Sequence, residues 1–352
     1  MAQPTSSTAL TDRDGLLRAV SKLPRERVAH LPTALEEMPR LREALGADAP
    51  ALLVKREDQT GLAFGGNKGR HLEFRLADIR KRGADTLVIQ NHAVSNHARI
   101  HTALAAKYGL DSYILKIPSD KDDPVNGNLL LDHLLGAHIV ESSSDDLAVL
   151  ESELDEHIER LEAEGRTVYN TISDPYSTIA GTIAYLVAAV ELLEQLDERG
   201  GALDHIVLSS GAAAAGLTLA GKLLGSSYRV HAVGVGDQAD PAAMVCDFAT
   251  RTAELLGFDI TVTRDDFTAH TEYGSSGYAV ADERCLEAIR LAARTEALIV
   301  DPVYTGKSFS ALVDQVRNGA FDAGETVVFI HTGGTPNVFS YSDEIMASLS
   351  RQ

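Results

Sequence analysis

Eight short runs rich in β-branched residues, set between stretches with helical spacing, constrain what this chain can fold into more than any other feature. The runs are Ala51–Lys55, Thr86–Gln90, Ser112–Lys116, His138–Val140, His205–Leu208, Arg229–Val235, Leu298–Val300 and Val327–His331. The helical stretches include Lys68–Arg82, Asn96–Tyr108, Asp145–Glu164 and Thr178–Leu196. Strands that alternate with helices predict parallel α/β architecture. At 352 residues the chain can build two lobes or one large α/β unit. No fixed-period repeat and no low-complexity linker divides it.

Composition narrows the function classes. A formal charge of -19 repels nucleic acid and anionic lipid, so neither is an expected partner. No uninterrupted apolar run reaches the length of a membrane span, and Met1–Leu10 is polar and lacks the basic and apolar regions of a secretory signal. The expectation is a cytoplasmic protein with no membrane partner. Cys246 and Cys285 are too few for a disulfide framework and are read as packing residues. The acidic stretch Asp145–Glu164 is read as a solvated amphipathic helix without chemistry.

Five segments could carry chemistry. In Gly65-Gly66-Asn67-Lys68 the glycines allow a tight turn that presents a lysine at a helix start. There the helix dipole and burial both lower an ammonium pKa, and the neutral amine is the form that condenses with an aldehyde. In His92-Ala93-Val94-Ser95-Asn96-His97, Ser95 is a candidate helix cap whose free amides suit a carboxylate. His97 and His101 stand four apart, but a third ligand and an intervening Glu are missing, so no metal is expected. Ser209 to Gly216 is a small-residue loop after a strand, suited to a phosphate at a helix N-terminus, and it matches neither the Walker nor the dinucleotide pattern. Asp301-Pro302-Val303-Tyr304-Thr305, with Tyr273 to Tyr278 upstream, and His331-Thr332-Gly333-Gly334-Thr335 complete the set.

Taken in order, these segments and His30-Leu31-Pro32-Thr33 and Lys55-Arg56-Glu57-Asp58 resemble the D-cysteine desulfhydrase and 1-aminocyclopropane-1-carboxylate deaminase family of fold-type II pyridoxal-phosphate enzymes. The resemblance implies a tryptophan synthase β-like fold. It has two open twisted parallel-sheet lobes with the cofactor between them, the larger built from residues 1–70 and 178–352 and the smaller from 71–177. It implies a homodimer acting on a small amino acid. By position, Lys68 would hold pyridoxal phosphate as a Schiff base and move the substrate proton. Asn96 would bond the ring hydroxyl, and Ser95 with His97 would hold the substrate carboxylate. Gly211, Ala212, Ala213, Ala214, Ala215 and Gly216 would cradle the phosphate. Tyr304, and Tyr278 rather than Tyr273, match the family's two site tyrosines.

The departures surround the substrate. Thr305 stands where the cyclopropane deaminases have a glutamate that charges the pyridine nitrogen, and a threonine supplies no such charge. This favours β-elimination from a D-cysteine-like amino acid to pyruvate, ammonia and the leaving group. The alternatives are cyclopropane ring opening, an L-cysteate sulfo-lyase, or a non-catalytic protein that kept the fold. Val94, the Asn91-His92 pair and the segment Asp174–Thr178 replace family residues, Ala213 lacks a phosphate-binding hydroxyl, and His92 and Tyr176 are the expected contacts of the leaving group.

Overall fold

The computed structural model describes residues 9–119, 125–236 and 240–350. Met1–Thr8, most of the segment read for a secretory signal, lies outside them.

Ten strands form two sheets among the described residues. They are β1 (Leu35–Glu37), β2 (Ala51–Lys55), β3 (Thr86–Asn91), β4 (Asp111–Lys116), β5 (His138–Glu141), β6 (Val168–Asn170), β7 (His205–Ser209), β8 (Arg229–Val233), β9 (Thr268–His270) and β10 (Thr326–Ile330). One sheet has the order β1-β2-β10-β7-β8-β9, and the other β5-β4-β3-β6. Every pairing is parallel except β1 with β2. The smaller sheet is thus drawn wholly from the middle of the chain, and the larger from the segments on either side. Parallel strands are buried on both faces, which is why β2, β7 and β10 read as near-continuous apolar runs.

Some elements differ from the sequence reading. Leu298–Val300 is not a strand, although Leu298 and Val300 are buried. It is the extended lead into the turn at Asp301, and its apolar side chains fill a core without joining a ladder. The strand expected at Arg229–Val235 ends at Val233. β1, β6 and β9 span three residues each and lack a periodic signature to read. The helical stretch read from Thr178 starts earlier, with Asp174–Thr178 as the cap and first turn of the helix Pro175–Glu198. The Asp174 carboxylate accepts from the amides of Tyr176 and Ser177, and Pro175 takes a first-turn position where its missing N–H costs nothing.

That 24-residue helix is long and apolar enough to cross a membrane, yet 72% of its most apolar window is buried inside the fold. It packs against the helix Ala212–Leu224 so closely that a Cβ on Gly216 would lie 2.5 Å from the Thr182 carbonyl oxygen. A glycine is needed there for the two backbones to meet.

A buried ionic network fixes the start of the helix Lys68–Arg82 to the larger sheet. Arg70 donates to Glu57 at 2.6 and 2.8 Å and to Glu191 at 2.8 and 2.9 Å. Lys55, on β2, donates to Glu191 at 2.5 Å and to the Thr33 carbonyl at 2.7 Å. Tyr185 donates to Glu57 at 3.1 Å. The Arg70 contacts hold Glu191 down to about 2 against the upward push of burial, with Lys55 adding to them. The second residue after Lys68 is therefore tied to two other elements by charge-assisted bonds.

Candidate active site

Lys68 opens its helix after a turn that only flexible backbone can make. Gly65 and Gly66 both have positive φ, 63° and 118°. Gly66 meets a second glycine turn: a Cβ on Gly333 would lie 2.6 Å from the Gly66 Cα, and the Asn67 amide donates to the Thr332 carbonyl at 2.9 Å. The guanidinium of Arg99 reaches across to donate to the carbonyls of Ala63 and Gly65. Two segments more than 260 residues apart thereby shape one turn and aim one amine. Burial lowers the Lys68 pKa to about 8, aided by the charges of Arg75 and Arg99 and opposed by Asp301.

The amine faces a cavity of about 460 Å³ between the two sheets' helices. Asn96, His97, Tyr304, Gly211, Ala212 and Ala213 line it with Lys68. The Oδ1 of Asn96 accepts from Asn128 at 2.9 Å, which leaves its N–H groups for the cavity. Ser95 sits just beneath: its hydroxyl oxygen accepts from the His97 and Ala98 amides at 3.1 and 3.2 Å, capping the helix Asn96–Tyr108.

His97 has a defined tautomer. Thr171 Oγ1 donates to the Val88 carbonyl at 3.1 Å, so at its 3.0 Å contact with His97 Nε2 the threonine oxygen accepts and the imidazole donates. Burial and the neighbouring cations push the His97 pKa well down, so the ring is neutral and Nδ1 keeps its lone pair. This side chain offers an acceptor rather than a donor. Below it, His101 Nδ1 donates to the His97 carbonyl at 2.7 Å, and Arg75 donates to His101 Nε2 at 2.6 Å and to the Ser177 carbonyl. Arg75 is buried, lines the cavity and has no carboxylate within ion-pair distance among the described residues.

At the other end of the cavity, Gly211, with φ 133°, leads into the helix Ala212–Leu224 without a side-chain cap. Its first amides have no partner within the helix. Ser209, Ser210, Gly211, Ala212 and Ala213 of the small-residue loop line the cavity, whereas Ala214, Ala215 and Gly216 are buried in the helix packing. His71 stands against this helix start. A Cβ on Gly181 would lie 2.8 Å from both His71 Nδ1 and the Ala212 Cβ, and His71 Nε2 is buried without a partner. An orphaned buried imidazole nitrogen, uncapped amides, an amine at lowered pKa and the N–H groups of Asn96 together fit a phosphate-bearing aldehyde such as pyridoxal phosphate.

Over Lys68, the ring of Tyr304 lies 5.7 Å from Nζ, and its hydroxyl is 2.7 Å from that of Tyr278. Lys307 anchors the Tyr278 loop by donating to the Gly277 carbonyl at 2.6 Å and to that of Val235 at 2.8 Å. The ring of His92 lies 5.3 Å from that of Tyr278. Thr305 does not line the cavity. Its hydroxyl donates to Asp301 at 2.6 Å and accepts from the Asp301 amide at 2.7 Å. Tyr176 is half-buried in the first turn of its helix and does not line the cavity either, whereas Thr178 does. Tyr273 lies apart, buried beneath Arg284. No group of three or more metal-ligating side chains occurs among the described residues.

Sequence reasoning missed His71, Arg75 and Thr171, and it named Asp301 within its motif without giving it a role. The first two follow Lys68 by three and seven residues, a spacing that puts all three on one helix face. Thr171 carried no such signal.

Residues 27–333 match the family described as pyridoxal-phosphate dependent enzyme. The chain is 33% identical to a putative 1-aminocyclopropane-1-carboxylate deaminase of Pyrococcus abyssi, over 94% of this chain and 97% of that protein. It is 36% identical to the 1-aminocyclopropane-1-carboxylate deaminase of Methylobacterium nodulans over 88% and 94% of the two chains. To the D-cysteine desulfhydrase of Salmonella typhi it is 33% identical over 94% and 99%. The crystal structure of an ACC deaminase homologue superposes with a TM-score of 0.83 at 31% identity, covering 95% of this chain and 98% of that one.

Proposed function

As the chain belongs to the pyridoxal-phosphate dependent enzyme family, we propose that it is a lyase that eliminates the β-substituent of a small D-cysteine-like amino acid, releasing pyruvate, ammonia and the leaving group. The observation that carries this choice is Thr305. It is uncharged, and its one proton faces Asp301 at 2.6 Å and the Gly333 carbonyl at 3.2 Å, so it puts no charge beside the cofactor ring. Elimination of a good leaving group needs less electron withdrawal than opening a cyclopropane.

Pyridoxal phosphate, when bound, supplies an aldehyde for amines and a ring that draws electrons from the substrate's α-carbon. Lys68 would hold it, Asn96 would donate to its ring oxygen, and the amides of Gly211 to Ala213 with His71 would hold its phosphate. Ser95, with the start of the helix Asn96–Tyr108, would face the substrate carboxylate. His97 belongs to the same end of the substrate, and its Nδ1 lone pair suits the amino group better than the carboxylate. Once free, the Lys68 amine takes the α-proton and returns one. Tyr304, bonded to Tyr278, delivers a proton to the departing group, and His92 stands behind Tyr278.

The lobe boundaries given above, a homodimer and a cytoplasmic setting belong to the same proposal, as does the absence of nucleic-acid and membrane partners, which the net charge of -19 favours. One observation favours a second reading. Arg75, a buried cation at the cavity wall with no carboxylate at ion-pair distance among the described residues, suits an anionic leaving group such as the sulfonate of L-cysteate. Incubation with D-cysteine, L-cysteate and 1-aminocyclopropane-1-carboxylate separates the readings by product. Pyruvate with sulfide supports the first and pyruvate with sulfite the second. Turnover of the cyclopropane alone, to 2-oxobutyrate, overturns the argument from Thr305.

A further inference from the structure

The orientation of the Asn96 amide at the cavity is set from outside the cavity. The two ends of an amide are alike in shape, one accepting and the other donating, so its neighbours decide which end faces where. Asn96 Oδ1 accepts from Asn128 at 2.9 Å and, at the outer limit of a hydrogen bond, from Arg99 at 3.5 Å. Asn128 is wholly buried in the first turn of the helix Gly127–Leu134. Its Nδ2 faces three oxygens, each at 2.9 Å: those of the Val94 carbonyl, the Asn96 side chain and the Asn337 side chain. Turned end for end, Asn128 would set its own oxygen against all three.

The direction of this network is fixed at its far end. Asn337 is also wholly buried, and its Nδ2 donates to Asp301 at 3.1 Å. The Asp301 carboxylate accepts as well from the amides of Val303, Tyr304 and Thr305, at 2.8 to 3.3 Å. Surrounded by donors, it takes only the nitrogen of Asn337, whose oxygen then turns to Asn128. Asn128 presents nitrogen to Asn96 in turn, and Asn96 presents its nitrogen to the cavity. One buried carboxylate thus stands behind both the Tyr304 turn and the polarity of Asn96.

Glycines let these residues meet across 209 positions of sequence. A Cβ on Gly127 would collide with Ser340 and lie 2.7 Å from the Pro336 carbonyl oxygen, and one on Gly334 would collide with the Asp301 carboxyl group. Asn128 Oδ1, by contrast, has no partner among the described residues. A buried amide with an unpaired oxygen costs stability, so packing alone does not account for this side chain.

We propose that Asn128, backed by Asn337 and Asp301, is a positioning residue for the cofactor, holding the Asn96 amide with its N–H groups towards the ring oxygen. The inference rests on the role given to Asn96 under the proposed function and adds what makes Asn96 a donor. Without the Asn128 N–H, the Asn96 amide can turn and set its oxygen against the ring oxygen, acceptor against acceptor.

Equilibrium dialysis of pyridoxal phosphate and of its 3-deoxy analogue, which lacks the ring oxygen, isolates that bond without turnover. The readout is the ratio of the two affinities, from which differences intrinsic to the two aldehydes cancel between variants. Asn96→Ala should lower the wild-type preference for pyridoxal phosphate about tenfold. Asn128→Leu, of similar size, and Asn128→Ala, which only shortens the side chain, should each lower it about fivefold, and either one suffices if the other does not fold. Adding Asn128→Leu to Asn96→Ala should lower the preference no further. A side chain that only supported the fold would weaken both ligands alike. Asn128 variants that keep the wild-type preference while Asn96→Ala loses it overturn the positioning role and leave the reading of Asn96 standing. A wild-type preference retained in Asn96→Ala overturns both.

Discussion

The hydroxyls of Tyr278 and Tyr304 lie 2.7 Å apart, with the Tyr304 ring over the Lys68 amine. Burial raises both phenols, Tyr304 to about 12 and Tyr278 well above its ordinary value. The bond to Tyr278 draws Tyr304 back down, which makes Tyr304 the better acid of the pair. Tyr304→Phe is therefore expected to cut kcat by about 10²-fold or more with the visible absorbance of the bound cofactor intact. Tyr278→Phe should cost less, about 10-fold, because it leaves the Tyr304 proton in place. Steady-state kinetics beside absorbance spectra checks both.

A Lys68 pKa of about 8 fixes how the cofactor-free protein responds to pH. Only the neutral amine reacts with an aldehyde, so the rate of pyridoxal phosphate capture should rise about tenfold per unit below pH 8 and level off above it. The same shift acts on stability. The folded value lies below the unfolded 10.5, so the unfolded chain holds more protons between about 8 and 10.5, and stability increases with pH across that window. Lys68→Met should remove this dependence and stabilise the cofactor-free protein at neutral pH, as denaturant titration at several pH values would reveal.

The Arg70, Glu57 and Glu191 network supports the turn that aims Lys68. Arg70→Met removes the guanidinium from two carboxylates, one of them fully buried, and should destabilise the fold by about 3 to 5 kcal/mol. With Glu191 held down to about 2 from 4.5, its share of stability is complete above about pH 4.5 and is lost as pH falls from there towards 2. Acid unfolding followed by circular dichroism should therefore begin at higher pH in Glu191→Gln than in wild type.

His71 has no protein partner for Nε2, and leaving a buried nitrogen unpaired costs about 1 to 3 kcal/mol unless a ligand meets it. His71→Ala is expected to weaken cofactor retention by about tenfold or more. Equilibrium dialysis of pyridoxal phosphate measures this directly, without turnover. Unchanged retention would remove His71 from the phosphate site.

What was legible in the sequence follows from which signals are local. The strands β2, β3, β4, β7 and β10 announced themselves because strands covered on both faces are short apolar runs. Lys68, Ser95 and Gly211 stood at strand-to-helix turns, where glycines and caps mark the position. The meeting of Gly66 with Gly333 could not be read, since nothing in either glycine names its partner across the fold. Arg75 and His71 look like the polar face of a surface helix until the helices Asn96–Tyr108 and Pro175–Glu198 cover them. Thr305 was readable as an uncharged residue, but its bond to Asp301 depends on a turn four residues long whose bonds only coordinates reveal. Tyr176 stood ahead of the helical stretch read from Thr178, and the cap at Asp174 that makes it helical is plain only when Pro175 is taken as a first-turn proline.

The account rests on Lys68 as the cofactor's attachment point, and one measurement reaches it directly. Borohydride fixes the cofactor covalently to the amine that holds it, and mass spectrometry of a proteolytic digest then locates the phosphopyridoxyl group. The account requires that group on Lys68, with none incorporated in Lys68→Ala. A label on Lys55, Lys307 or any other lysine, or equal labelling of Lys68→Ala, would contradict it.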